Sequence, residues 1–261
     1  MTAFGTLLKN WRTTRRFSQL DLSLAAGASA RHISFLESGR AGPSREMVLR
    51  LVEALELPLA TTNSALLAAG FAPVYPELAA DDERLSAAIQ AVDLLLSNHE
   101  PLPAIVFDRH WILRRLNTSA ELLFGQLGIA VGDNLVSGLI DMGVEEGPLC
   151  NWLEVAALII TRLRTEITHL GSAAQLAPLL QQLCKHRDQM LVGQRDVSIV
   201  SIDEASPIIP LRLRIGEQSL SMFSMIVQFG SVQEITLADL RIELYFPEDD
   251  ATRIFLNELL P

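Results

Sequence analysis

"SQLDLSLAAGASARHISFLESGR", residues 18–40, sets a turn of small residues between two short apolar patterns. Counted from Gln19, the fifth residue is Ser23 and the ninth Gly27; the tenth, fifteenth and eighteenth are Ala28, Ile33 and Leu36. Two short helices that cross steeply need a small residue where the second packs over the first. They also need a turn-tolerant residue between them and apolar residues at the later offsets. Every one of these positions complies, so the segment is expected to fold as a helix-turn-helix, with Ser29 capping the second helix. Burying Ile33 and Leu36 leaves Ala30, Arg31, Ser34 and Phe35 on that helix's outer face, with His32 alongside.

The charge distribution says what such a face would meet. The 261 residues carry a net charge of −10, yet residues 1–50 hold eight Lys/Arg against three acids, a net +5. The remainder carries −15, which makes a polyanion-binding head on an acidic body. The start of the second helix would enter a DNA major groove, where Arg31 can make a bidentate contact to guanine. Phe35 can lie against a thymine methyl. The plainer alternative is a helical hairpin whose Arg31 and His32 are merely solvated.

Around this stretch the first 70 residues read as short helices, broken at Gly27, at Gly39–Pro43 and at Leu57-Pro58. A fifth helix is expected from Thr61 or Thr62 to Ala69. "FAPVYPELAADD", with two prolines and two aspartates, places a boundary near residues 71–82. Domains at 1–72 and 80–261 follow. In the second, an amphipathic helix over Leu85–Leu96 precedes two strands within 104–116, turning at Asp108-Arg109-His110. A helix from Thr118 to Phe124 and an indistinct Gly-rich stretch at 125–149 come next, then two helices at about 150–168 and 173–190. The last third alternates: Leu211, Leu213, Ile215; then Phe223, Met225, Val227, Phe229; then Leu240, Ile242, Leu244, Phe246. The expectation is an all-α head followed by an α+β domain, an antiparallel sheet with helices collected on one side.

No apolar run approaches the 18 residues of a membrane span, and the first residues lack a signal-peptide pattern. Two cysteines, Cys150 and Cys184, in neither disulfide nor zinc spacing, suit a reducing cytoplasm. No G-x-S-x-G, HExxH, Walker or GxGxxG signature occurs, so no catalytic residues are assigned. Cys184 and His186 lack partners for a metal, and no cofactor is expected. Bulky apolar side chains instead favour a pocket for an aliphatic molecule, with Phe107, Trp111, Trp152, Phe223 and Met225 as candidate ligand-binding residues.

Residues 3–57, carrying "FSQLDLSLAAGASARHISFLESGRAGPSREMVLRLVEAL", resemble the XRE-type helix-turn-helix family of bacterial repressors. The resemblance implies that Gln19 holds a phosphate and orients the reading helix. It implies base contacts from Ala30, Arg31 and His32, with Phe35 one turn on, and a phosphate approach by Gly39 and Arg40. Ala30 departs from the polar residue common in that family. Four further pieces resemble the MmyB-like ligand-binding domain: "ALLAAGFAPVYPE" (65–77), "PAIVFDRHWILRRLN" (103–117), "NWLEVAALIITRLRTE" (151–166) and "DLRIELYFPEDDAT" (239–252). That resemblance implies a PAS-like sensor with a cavity for fatty-acid-like molecules. Together they imply a one-component transcription regulator, a homodimer on operator DNA. The alternatives are a DNA-binding protein whose second domain serves only dimerisation or protein contacts, and an enzyme with a DNA-binding head.

Overall fold

The computed structural model describes residues 2–79, 82–170, 173–193, 208–230 and 232–260. The chain divides into two units, the first made of residues 1–79 with 165–171 and 231–238, the second of the remainder. Among the described residues no helix is long and apolar enough to cross a membrane.

Five helices form most of the first unit: α1 (Ala3–Thr14), α2 (Gln19–Ala25), α3 (Ala30–Ser38), α4 (Arg45–Ala54) and α5 (Leu59–Ala68). Serine begins three of them. The hydroxyls of Ser18, Ser29 and Ser44 accept from the N–H groups of Asp21, His32 and Met47 at 3.0, 3.2 and 3.2 Å. Each satisfies a donor that the helix itself leaves open. Gly27, at φ +60°, makes the turn between α2 and α3 in a backbone region that L side chains rarely adopt. Gly5 has a different task. A Cβ there would lie 2.6 Å from the carbonyl oxygens of both Leu36 and Glu37, so only glycine lets α1 approach the end of α3 so closely. The apolar faces converge on Leu8, Leu22, Ile33, Leu36, Val48, Leu51 and Leu66, all 2% exposed or less. Helix α5 begins at Leu59, two residues ahead of the expected Thr61, because Pro58 occupies the N-cap and needs no N–H there.

The segment after α5 is tied down. Asn63 accepts from the N–H groups of Val74 and Tyr75 at 3.0 and 3.1 Å and donates to the Tyr75 carbonyl at 2.6 Å. Further on, the Glu234 carboxylate accepts from the backbone N–H of Leu78 at 2.9 Å. It also accepts from Thr236 and Leu237 at 2.9 and 2.8 Å, at the start of the short helix α11 (Ile235–Ala238). Burial pushes the Glu234 carboxyl up, but these N–H groups outweigh it and hold its pKa below the usual value.

The second unit is built on five strands: β1 (Ala104–Phe107), β2 (Leu113–Leu116), β3 (Leu211–Ile215), β4 (Gln218–Val227) and β5 (Arg241–Pro247). Their order is β2-β1-β5-β4-β3, every neighbouring pair antiparallel. Period-2 alternation gives this sheet two apolar faces. One carries Ala104, Val106, Ile242 and Leu244 against Val92 and Leu96 of α6 (Ser86–Asn98). The other carries Leu211, Leu213 and Met222. Over it lie Phe124 of α7 (Thr118–Gln126), Leu139 of α8 (Leu135–Asp141), and Val155 and Ile159 of α9 (Trp152–Leu170). Helices thus pack on both faces, not on one as the sequence suggests. Helix α8 lies within the indistinct stretch 125–149, expected to be loops with short helical turns; Asn134 caps it by accepting from Val136 and Ser137. Helices α10 (Ala173–Gly193) and α12 (Asp250–Leu259) complete the unit.

Candidate functional site

In the head, α3 is held from behind by a buried ion pair. Arg12 on α1 donates from Nε and Nη2 to the two oxygens of Glu37 at 2.5 and 3.0 Å, and from Nη1 to the Phe17 carbonyl at 2.8 Å. Gln19, the first residue of α2, donates its side-chain N–H to Glu37 at 2.8 Å. Burial alone would raise the Glu37 pKa; the bonds from Arg12 and Gln19 win and lower it. Three helices are therefore locked to one carboxylate, and the orientation of α3 is set before anything binds it.

The opposite side of α3 carries the residues singled out in the sequence. Arg31 is exposed and lies over the Phe35 ring at 5.2 Å, and Arg40 approaches the same ring at 5.9 Å. A guanidinium on an aromatic face is held by the ring's quadrupole and keeps its edge free to form a planar fork. The structure brings Arg31, Phe35 and Arg40 together in one stacked group. Ala30 and His32 sit half-buried beside it, while the Ser29 hydroxyl is engaged as the N-cap. Gln19 lies apart from this group, bonded to Glu37.

In the second unit the sheet face turned away from α6 closes over an apolar cavity of about 130 Å³. Trp111, Phe124, Leu139, Val155, Ile159, Leu213 and Met222 are among its walls. Trp111 is placed there by its turn. Asp108 Oδ1 accepts from the N–H groups of His110 and Ile112 at 2.8 and 3.1 Å, and Trp111 adopts φ +63°. A non-glycine residue in that region costs about 1–3 kcal/mol, which the Asp108 bonds and burial of the indole offset. Behind the indole, Arg162 of α9 stacks over Trp111 at 4.5 Å and over Phe107 at 5.3 Å.

Of the five residues proposed for the ligand, Trp111 alone lines this cavity. Phe107 is buried behind it, 5.4 Å from the Trp111 ring. Trp152 is turned elsewhere: its indole N–H donates to the Leu139 carbonyl at 2.6 Å, and it borders a separate polar cleft with Glu154, Arg212 and Arg214. Phe223 and Met225 stand on the other sheet face. Phe223 stacks on Phe246 at 5.5 Å, and Met225 is 55% exposed. Sequence reasoning missed the polar wall made by Ser224, Glu243 and Tyr245. Ser224 Oγ donates to Glu243 Oε1 at 2.5 Å. Here burial prevails: it raises the Glu243 carboxyl, and raises Tyr245 well above its ordinary value.

Comparison with known families bears on both sites. A helix-turn-helix domain model matches residues 3–65, and the model of the MmyB-like transcription regulator ligand binding domain matches residues 88–259. No curated protein matches the chain. The second match covers most of the sequence and takes in the whole sheet and its cavity. The chain therefore belongs to the helix-turn-helix transcription regulators that carry an MmyB-like ligand-binding domain.

Proposed function

We propose that the protein is a homodimer whose two α3 helices read half-sites of an operator about one helical turn apart. Arg31 supplies the base contact and Arg40 a phosphate contact, with Phe35 holding both guanidinium groups in place. A small molecule with an apolar, fatty-acid-like body occupies the cavity between the sheet and helices α7 to α9, and its binding alters affinity for the operator. The observation that carries this reading is the cavity itself: a void walled by aromatic, aliphatic and Met side chains with one polar corner, in a chain that also presents a clamped helix with Arg31 exposed on its outer face.

The test is a linkage experiment on the full chain. Operator DNA is titrated with and without a medium-chain alkyl ligand, and the ligand with and without operator. The expected coupling is about 1–3 kcal/mol, and reciprocity requires the same factor in both directions. Equal affinities in both arms would leave a domain that serves dimerisation or protein contacts rather than sensing.

A further inference from the structure

We infer that ligand in the cavity is reported to the head through the Arg109–Asp239 ion pair, which joins the turn carrying Trp111 to the segment that holds Leu78. This rests on the cavity being the ligand site and on its ligand altering operator affinity. Each bonded link lies within one unit of the fold, and the chain itself passes from one unit to the other between Ala238 and Asp239.

The route begins at the cavity wall. Trp111 lines the cavity, and its left-handed backbone is the strained point of a turn closed by four hydrogen bonds. Two are those from the N–H groups of His110 and Ile112 to Asp108 Oδ1. In the others the Trp111 N–H reaches the Asp108 carbonyl at 2.9 Å, and the Asp108 N–H reaches the Ile112 carbonyl at 3.1 Å. The turn is also fastened to the start of α8, a second wall of the cavity. Leu135 donates its N–H to the Trp111 carbonyl at 2.9 Å, and Asn134 Nδ2 donates to the His110 carbonyl at 2.8 Å. Residues 108–111 therefore move as one body when a ligand displaces the indole or α8.

Arg109 is the arm of that body. Its Nε donates to His110 Nε2 at 3.1 Å, and its Nη1 pairs with Asp239 Oδ2 at 3.1 Å. The two side chains are 26% and 25% exposed. A pair within reach of water gains little net energy, so a small displacement decides whether it is made or broken. Asp239 directly follows α11, and α11 lies against α5. There Glu234 and Thr236 hold the N–H and the carbonyl of Leu78, and the Ile235 N–H reaches the Pro76 carbonyl. Tyr75, one residue earlier, is bonded through both its backbone groups to Asn63 of α5. A pull on Asp239 thus arrives at a helix of the head through bonded groups. The chain running on from Leu78 to α6 is the competing route, and it bypasses both Arg109 and Asp239.

The experiment titrates the full-length protein with an operator duplex that the protein has selected from random sequence, with and without saturating decanoate. Wild type is expected to show a change of about 5- to 150-fold in operator affinity. Arg109→Ala and Asp239→Asn should each shrink that factor about threefold or more, and the double variant no further, because all three break one link. Arg109→Lys keeps the charge and should retain most of the coupling. Amide hydrogen exchange gives a readout that a mere loss of stability would not. Decanoate should change protection at residues 74–78 and 234–238 in wild type but not in Asp239→Asn, while its effect at residues 108–112 persists in both. Coupling undiminished in both single variants would overturn the inference and leave the cavity as the sensing site. Losses that add in the double variant would give the two residues separate roles and overturn it as well. Unchanged protection at 234–238 in wild type would overturn it without recourse to any variant. Decanoate that fails to bind, or binds without effect on wild-type operator affinity, would remove the inference together with the reading it rests on.

Discussion

Glu37 in the head is buried and Glu243 in the sheet domain is half-buried, each with an arginine acting on it, yet their pKa values move in opposite directions. Glu37 receives three hydrogen bonds, two from Arg12 and one from Gln19, and is held down. Glu243 accepts from the Ser224 hydroxyl at the wall of an apolar cavity, and burial pushes it up. The difference is one of donors. A carboxylate saturated with charged and amide donors becomes a rigid fixture, here the peg on which α3 is set. One met by a hydroxyl alone lacks that support, and desolvation decides the direction of its pKa instead.

The sharpest way to break that contrast is to remove the saturated acid. Glu37→Ala strands the Arg12 guanidinium, 9% exposed, and should cost about 3–5 kcal/mol in urea unfolding. The double variant Arg12→Met with Glu37→Leu should recover much of this, because the penalty is an unpaired charge. A loss below about 1 kcal/mol would make the pair no stronger than a surface bridge.

On the cavity side, an alkyl ligand held at 100 times its dissociation constant should stabilise the protein by about 2.7 kcal/mol, read as a melting shift. The same ligand should shift Trp111→Ala less, since that wall is then missing; an equal shift would place the ligand elsewhere. The reading helix comes next in size. Arg31→Ala should cost about 1–3 kcal/mol on the operator and little on random DNA. Arg40→Ala should weaken both and flatten the salt dependence. Fluorescence anisotropy at two salt concentrations separates the cases, and an equal loss on both DNAs would make Arg31 a phosphate contact.

The smallest effects are in pH. Glu37 has a lowered folded pKa, so its contribution is present above the ordinary value of 4.5 and is lost as pH falls through the lower folded value. Glu243 has a raised folded pKa, so the folded chain holds its proton longer and stability declines as pH climbs from 4.5 through the folded value. Glu37→Gln should flatten the acid limb of the stability curve, and Glu243→Gln the limb above it. Parallel curves for wild type and either variant would erase the distinction drawn between the two acids.

The helix-turn-helix was legible because steep helix crossing restricts single residues at fixed offsets, and Ser23, Gly27, Ile33 and Leu36 meet those restrictions locally. The strands were legible by alternation. Alternation finds an apolar face without saying which side of the sheet holds the cavity. Phe223, Met225, Ile242, Leu244 and Phe246 make the cleaner stripe, and several of them pack against α6 as plain core. The cavity face is interrupted by Ser224 and Glu243, so alternation alone favours the opposite side of the sheet. Several other walls, Leu127, Ile129, Leu135, Leu139, Met142 and Leu149, come from the region 125–149, where short turns erase any period. The Asn134 cap was the local signal there, followed directly by the apolar Leu135-Val136.

The bonds made by Glu234 bear on how the chain can be divided. A polypeptide cut after residue 79 keeps all five head helices but loses the acceptor for the Leu78 N–H. It also loses Thr236, whose hydroxyl donates to the Leu78 carbonyl at 2.8 Å, and Ile235, whose N–H reaches the Pro76 carbonyl at 3.0 Å. A polypeptide starting at residue 80 loses the same bonds from the other end, and Glu234 is left with α11 alone. The segment between β4 and β5 therefore belongs with residues that precede it by more than 150 positions. Neither fragment reproduces the parent. A cut at residue 79 on the sequence line therefore falls inside one unit of the fold.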